Sequence, residues 1–212
     1  MPRPPRLLDV SVLLAPGIPI YPGNPEFEVT PVHRIADGHS SNNSKLVMGT
    51  HTGTHVDAPL HFFDGRPGVD AMALELLIGR ARVIDLPHRG GITETHLAGA
   101  GLREDIRVLL RTPNSALWNS HDGFHTDYTY LTEGGAKFLV DQGVKVVGVD
   151  YLSVEEFKKA GAPAHKALLG NGIIIIEGLN LSEAEAGQYE MYCLPLRLAN
   201  GDGAPARVVL KR

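Results

Sequence analysis

The chain has 212 residues, of which 43% are hydrophobic and 21% are charged, a composition typical of one soluble globular domain over residues 1–212. Lysine and arginine number 20 and aspartate and glutamate 24, so the formal net charge of −4 argues against nucleic-acid or membrane-surface partners. Cys193 is the single cysteine, so an internal disulfide is excluded, and the proline-rich start (Pro2, Pro4, Pro5) carries no apolar signal or spanning segment. We therefore expect a cytoplasmic protein.

Short apolar, β-branched runs recur along the chain and predict strands. In chain order these runs are residues 10–14, 28–32, 81–86, 107–111, 144–149, 172–177 and 207–210. Two segments between them favour helices: Thr132 followed by residues 134–142, and residues 153–160, where Ser153 and Glu156 form a capping box. The pattern predicts an α/β fold, with a mixed sheet or open barrel and helices packed on one side.

The segment of residues 49–63 holds three histidines and one aspartate within eleven positions. These are His51, His55, Asp57 and His61. All four occupy odd positions, so an extended chain would project them to one face. Fully extended, the first and last would stand about 33 Å apart, so the chain must turn for them to meet. Gly53 and Pro59 are placed to provide that turn.

Imidazole nitrogens and a carboxylate are ligands that suit a borderline divalent metal ion. Asp57 could bridge two ions, which a histidine cannot do. Four such groups in so short a non-helical segment are a stronger signal than any lone histidine, which is usually a structural residue. We therefore predict a metal site here.

Further ligands should lie at the end of another strand. The run of residues 172–177 is apolar until it ends in Glu177, and a buried carboxylate there is costly unless it meets a cation. Gly178, directly after it, allows another backbone to approach closely. His165 lies in a proline-containing segment, which we expect to be a loop, and could complete a second metal site.

These residues resemble one family. The run His-Thr-Gly-Thr-His-Val-Asp-Ala-Pro-Leu-His-Phe at 51–62, with Pro-Ala-His-Lys at 163–166 and Ile-Glu-Gly-Leu at 176–179, is similar to cyclase-like metal-dependent hydrolases. That family includes bacterial kynurenine formamidase and isatin hydrolase, and the resemblance runs from about residue 8 to 210. It implies a swivelling β/β/α domain, a homodimer, and two divalent ions, zinc or in some members manganese.

The resemblance also implies a role for each residue of the motif. His51, His55 and Asp57 would bind the first ion, Asp57 and Glu177 would bridge to the second, and His165 would complete it. His61 would be the catalytic acid/base and not a permanent ligand. The residues alone do not separate His61 from the ligands.

Hydrolysis of an amide is the activity that the family implies. The expected substrate is a small aryl amide, N-formylkynurenine, which would give kynurenine and formate; isatin, another cyclic amide or an ester is the alternative. Formamidases usually have Trp-Pro-Gly-Asp where this chain has Tyr-Pro-Gly-Asn at 21–24, so the substrate-facing ring is smaller. We expect Tyr21 and Phe124 to offer aromatic faces to the substrate.

Other residues carry weaker signals. His121 and His125 repeat the His-x3-His spacing, but we expect both in a surface loop. Asp150 ends a predicted strand and is read as a turn-forming cap.

Two other functions remain open from the residues. His55, Asp57 and distal His165 imitate the two-histidine, one-carboxylate triad of non-haem iron oxygenases, although His51 and Glu177 are then unexplained. A catalytically dead metal-binding module is the third interpretation, and the intact His61 argues against it.

Overall fold

The computed structural model describes residues 6–102, 104–120 and 123–212; Pro2, Pro4, Pro5, His121 and Asp122 lie outside these ranges. The strands are β1 Leu7–Asp9, β2 Glu28–His33, β3 Asn43–Val47, β4 His55–Asp57, β5 Ile78–Asp85, β6 Gly91–Ile92, β7 Arg107–Arg111, β8 Tyr130–Leu131, β9 Val146–Val149, β10 Ile174–Glu177, β11 Gly187–Pro195 and β12 Gly203–Lys211. The helices are α1 Leu74–Leu77, α2 Glu94–Gly99, α3 Glu133–Asp141 and α4 Pro163–Gly170. Within the described ranges, no helix is long and apolar enough to span a bilayer.

Seven strands form a mixed barrel in the order β12, β11, β5, β7, β9, β10 and β4. Strands β5, β7, β9 and β10 run parallel to one another, and the remaining neighbours are antiparallel. Pairing between β4 and β12 closes the barrel, and β1 adds to the other half of β12. The α/β prediction with a mixed sheet is confirmed, and the barrel is closed.

Two apolar clusters hold the sheet and the helices together. The first fills the barrel, because it takes a side chain from every barrel strand, among them Val56, Leu109 and Ile174. The second lies outside, where the same sheet packs against α2, α3 and α4. Strand β10 contributes to both clusters, because Ile174 and Ile176 belong to the cluster inside the barrel and Ile175 to the cluster outside it. Burial on both faces explains why this strand is apolar throughout, and the helices on one side are as expected.

The strand expected at residues 10–14 is wrong. Strand β1 covers Leu7–Asp9 instead, and of the later run only Ser11 makes an isolated bridge, to Leu179. Strand β4 and the N-terminal segment share one edge of β12: β4 pairs with Gly203–Pro205 and the Ala206 amide donates to the Thr54 carbonyl, so the N-terminal segment pairs only with the far end, through residues 209–211 and a hydrogen bond from the Val10 amide to the Val208 carbonyl.

The helix expected at residues 153–160 is also wrong. The Ser153 hydroxyl accepts a hydrogen bond from the Glu155 amide, and Lys158 has a left-handed φ of +57°, which a helix cannot include. Helix α4 begins ten residues later than the expected helix, with Pro163 in its first turn. His165 therefore lies on a helix and not in the loop that we expected.

Candidate metal centre

Three elements carry the residues that the sequence predicts as ligands. Strand β4 presents His55 and Asp57 on one face because side chains alternate along a strand. Strand β10 lies antiparallel beside it, with Glu177 opposite His55 in the register. Helix α4 contributes His165. The topology therefore brings distant parts of the chain to one buried point.

Turns on either side of β4 deliver the other two histidines, as the sequence predicts. Gly53 has a φ of +64°, so the chain bends between His51 and His55. Pro59 opens a 3-10 turn that ends at His61. Gly178 also has a positive φ, and a side chain there would collide with the carbonyl oxygen of Gly53. The predicted close approach of backbone behind Glu177 is thus confirmed.

His55 is held in one tautomer. Its Nδ1 lies 2.9 Å from the carbonyl oxygen of Gly53, which can only accept, so Nδ1 carries the proton. The Nε2 atom is buried without a hydrogen-bond partner and lies 3.4 Å from an oxygen of Asp57 and 3.4 Å from an oxygen of Glu177. Nε2 and two carboxylate oxygens therefore face one another, and only a proton on Nε2 or a cation can offset the repulsion between them.

His165 approaches the same carboxylates from the helix. Its Nε2 lies 3.2 Å from Oε1 of Glu177 and 3.7 Å from Oδ2 of Asp57. Its Nδ1 lies 3.5 Å from Oε2 of Glu155, a carboxylate that also accepts the amides of Ala164 and His165. Glu155 thus anchors the start of α4 through two backbone amides and lies beside the ring, whose Nδ1 makes no hydrogen bond to the described residues. Sequence reasoning missed it because its partners are nine and ten residues away on a helix that was not predicted.

His51 and His61 form the outer part of the group. The ring of His51 places Nδ1 2.9 Å from Oδ1 of Asp57 and Nε2 3.2 Å from Oδ2 of Asp202. The rings of His51 and His61 stack with centroids 4.0 Å apart. Asp202 was also missed, since only the pairing of β12 with β4 brings it here.

The buried carboxylates of this group and the imidazole rings beside them shift one another's pKa values. Burial disfavours the imidazolium form of His55 and of His165, but the carboxylates beside each ring outweigh that penalty and raise each pKa to about 10. Burial also opposes ionisation of Asp57, yet His51 and His55 hold its pKa well below the usual range. The centre therefore favours a positive charge among its buried carboxylates.

His61 differs from the other three rings. Burial lowers its pKa, so the neutral imidazole is favoured near neutral pH. Its Nδ1 lies 3.9 Å from Oδ2 of Asp202, beyond hydrogen-bond distance. The ring also lines a cavity, where it is partly exposed. A neutral, accessible ring of this kind can accept and return a proton.

The atoms of these residues fit a divalent cation. His55, Asp57 and Glu177 bring one ligand atom each within 4.8 Å of one another, and so do His51, Asp57 and His61. Asp57 belongs to both groups, and its Oδ2 is buried without a hydrogen-bond partner. Buried acceptors without donors are costly, and a metal ion would satisfy them.

A cavity of about 220 Å³ opens onto this centre. It is lined by Tyr21, Asn24, His51, His61, Phe62, Leu152, Ser153, Glu155, Glu156, Lys158, Lys159, Ala162, His165 and Glu177. Tyr21 is therefore at the position where we expected an aromatic face. Phe124 is not among the lining residues; it packs edge-on behind Tyr21, with ring centroids 5.2 Å apart. Its contact with a substrate stays a prediction, whereas its contact with Tyr21 is part of the fold.

The second His-x3-His spacing contributes nothing to this centre among the described residues. His121 lies outside the described ranges, and the Nε2 atom of His125 lies 2.7 Å from the Ser120 hydroxyl oxygen.

Comparisons with known proteins identify the family of this chain. Residues 8–156 match the family model Cyclase, described as "Putative cyclase". The chain is 37% identical to a kynurenine formamidase of Erythrobacter litoralis, over 97% of this chain and 94% of that one. It also resembles two solved structures over 98% of its length. One, described as a predicted metal-dependent hydrolase from Bacillus stearothermophilus, is 34% identical, with a TM-score of 0.84 and 98% of that chain covered. The other, isatin hydrolase A from Labrenzia aggregata, is 25% identical, with a TM-score of 0.85 and 93% covered.

The family model matches more than half of the chain, and the kynurenine formamidase is more than 30% identical over nearly the full length of both chains. The chain belongs to the Cyclase family.

Proposed function

We propose that this chain is a metal-dependent amidohydrolase that cleaves N-formylkynurenine to kynurenine and formate. The observation that carries the proposal is the meeting of the unpartnered Nε2 of His55 with the carboxylates of Asp57 and Glu177 at one end of a cavity. The identity of 37% to a kynurenine formamidase over nearly the full length of both chains supports the choice of substrate.

His51, His55, Asp57, His165 and Glu177 would hold two divalent ions, which we propose to be zinc, with manganese as the alternative. Support for two ions comes from Asp57, which belongs to both groups of potential ligands. When bound, such an ion lowers the pKa of its water from about 15.7 toward 7 and polarises a carbonyl oxygen. Hydrogen bonds to the backbone support two of these residues: Glu177 accepts the Val154 amide at 2.6 Å through Oε1, and the backbone amide of His165 donates to Glu155 at 3.2 Å.

His61 would move the proton that the reaction requires. Because its Nδ1 faces Asp202, its Nε2 is the nitrogen left to face a substrate. The neutral ring would take a proton as water adds to the formyl carbon and would return it to the aniline nitrogen as the C–N bond breaks. One water is consumed, and formate and an aryl amine result. Tyr21 would lie against the aryl ring.

We also propose that the protein is a cytoplasmic homodimer. The hairpin of β2 and β3 supports a partner subunit, because both strands are exposed along their whole length and carry Val29, Val32 and Leu46 about half exposed. An isolated two-stranded hairpin is marginally stable in water. Light scattering coupled to size exclusion should give a mass of two chains, and a monomer at micromolar concentration would contradict the dimer.

Hydrolysis of a substrate panel by purified, metal-loaded protein tests the proposed function. The panel contains N-formylkynurenine, isatin and unsubstituted formanilide, each followed by the absorbance of its product. We expect N-formylkynurenine to have the highest kcat/KM. Cleavage of isatin with none of formylkynurenine would overturn the substrate and leave a cyclic-amide hydrolase. Oxygen uptake without hydrolysis would favour an iron oxygenase, and tight metal binding without turnover a binding module.

A further inference from the structure

Two lysines line the same cavity as the metal centre, and they differ in their partners. The Nζ of Lys159 lies 2.9 Å from a carboxylate oxygen of Glu156. Lys158 has no carboxylate partner among the residues that the structure describes. Its Nζ lies 5.2 Å from the ring centroid of Phe157, a cation–π distance. Lys158 therefore offers the cavity a positive charge without a paired anion.

This charge is attached to the aromatic wall. The ring of Phe157 packs against Tyr21 at 5.8 Å and against Phe124 at 5.3 Å between centroids. Tyr21 lines the cavity, so it is the surface on which a substrate ring would lie. Lys158 thus stands beside the aromatic surface and not at an unrelated part of the rim.

The backbone of this segment has a conformation uncommon for residues with side chains. Lys158 has a φ of +57° and Ala162 a φ of +46°, both in the left-handed region. Strained conformations of this kind persist only where the surroundings impose them, and they are concentrated at binding sites. The segment that carries both residues borders the cavity.

The chemistry of the free lysine selects one class of substrate. With its ions bound, the centre would hold the formamide carbonyl, and an anionic group several bonds away on the same substrate would lie beyond the reach of Asp57, Glu177 and the ions that they hold. An anionic group on the substrate therefore needs a cation elsewhere in the cavity. Formylkynurenine has such a group: its side chain, ortho to the formamide, ends in an α-amino acid.

We propose that Lys158 binds the α-carboxylate of the substrate's amino-acid side chain and makes the enzyme selective for aryl formamides that carry an acidic group. The proposal rests on the proposed function, which supplies the formamide at the metal centre. Lys158 is a specificity residue in this account, and His61 and the metal ligands perform the reaction. Isatin and plain formanilide, which lack a carboxylate, would gain nothing from it.

Two substrates that differ only in the amino-acid group test the proposal. N-formylkynurenine and 2'-formamidoacetophenone share the ring, ketone and formamide. We expect K158M to lower the ratio of their kcat/KM values by about 10-fold to 100-fold, since hydrogen bonds to charged groups contribute about that much. The change should lie in KM for formylkynurenine, and K158R should restore most of it. K145M, which removes an exposed lysine outside the cavity, is the matched control and should leave the ratio unchanged.

A binding measurement separates recognition from turnover. Calorimetric titration with the product kynurenine should give a Kd about 10-fold or more higher for K158M than for wild type, and 2'-aminoacetophenone should bind both proteins alike. The role of Lys158 would be overturned if K158M left both the ratio of kcat/KM values and the Kd for kynurenine unchanged, or if K159M lowered the ratio as much as K158M does. Hydrolysis of formylkynurenine by the wild type would still support the proposed function in either case. A wild-type enzyme that cleaves neither formamide would instead overturn the proposed function.

Discussion

Two buried carboxylates in this protein have opposite surroundings. Asp150, directly after β9, accepts four hydrogen bonds: from the amide and hydroxyl of Thr112 at 2.7 Å each, and from the amide and hydroxyl of Ser115 at 3.1 and 2.7 Å. Asp57, on β4, faces imidazole rings and another carboxylate, and its Oδ2 has no hydrogen-bond partner. Both side chains are inaccessible to solvent.

The difference separates a structural carboxylate from one suited to a cation. Burial raises the pKa of Asp150 to about 6, and its four donors oppose that rise, so the chain itself stabilises the anion. Thr112 caps a 3-10 segment, Pro113–Asn119, that contains Ser115, and this carboxylate fixes the segment to the sheet. At Asp57 only Oδ1 has a nearby ring nitrogen that can donate, Nδ1 of His51 at 2.9 Å, and Oδ2 has no hydrogen-bond partner. A buried carboxylate oxygen without a donor indicates a ligand site more strongly than burial alone does.

Replacing Asp57 should have the largest effect. Asp57→Ala removes the residue common to both groups of ligands, so we expect bound metal and hydrolysis to be lost together. Inductively coupled plasma mass spectrometry of the purified variant measures the metal, and circular dichroism checks the fold. Unchanged metal content in both Asp57→Ala and Glu177→Ala would contradict the bridging role.

His61→Ala should affect catalysis and leave the metal in place. Loss of a positioned acid/base group lowers turnover by about 10² to 10⁴. We expect kcat to fall by at least about 10², with most of the metal retained, because the five proposed ligands remain. Loss of metal in parallel with activity would make His61 a ligand, as its place beside His51 and Asp57 permits.

Asp150→Asn should act on stability and not on metal. Three of the four donors bond to Oδ2 and only the Thr112 hydroxyl bonds to Oδ1, so an amide whose oxygen takes the Oδ2 place leaves that hydroxyl facing an NH2 group, which costs roughly 1–3 kcal/mol of unfolding free energy. Urea unfolding measures this, and the metal content per folded chain should equal that of wild type. If Asp150→Asn bound less metal than wild type but had the same unfolding free energy, Asp150 would contribute to the metal site, and the roles of the two carboxylates would not be separate.

Tyr21→Trp should have the smallest effect. A larger ring increases the contact with an aryl substrate, and ring contacts contribute about 0.5–1.5 kcal/mol beyond area burial. We expect KM for formylkynurenine to fall several-fold with kcat nearly unchanged, since the contact is made equally in the ground and transition states. A change confined to kcat would show that Tyr21 acts on the reaction and not on binding.

Most of the site could be predicted from the sequence because its residues are close together in the chain. His51, His55, Asp57 and His61 fall in eleven positions, and the turn between them follows from Gly53 and Pro59. Their assignment as ligands or as acid/base depends on the family resemblance. Strands β7, β9 and β10 were also predictable, because burial on both faces leaves continuous apolar runs.

What could not be predicted depends on long-range contacts. Asp202 reaches His51 only because β12 pairs with β4, and no local pattern shows that pairing. Glu155 was hidden because the apparent capping box of Ser153 and Glu156 predicted a helix in the wrong place. Strand β3, which is exposed along its length, lacks the apolar signal by which buried strands are recognised.

X-ray diffraction from crystals of zinc-loaded protein, recorded on both sides of the zinc absorption edge, tests the central claim most directly. We expect two anomalous peaks, one among His51, His55 and Asp57 and the other beside His165, with Asp57 and Glu177 between them. No peak should occur at Asp150. Anomalous density away from these residues, or none at all after loading with excess zinc, would contradict the proposed metal centre.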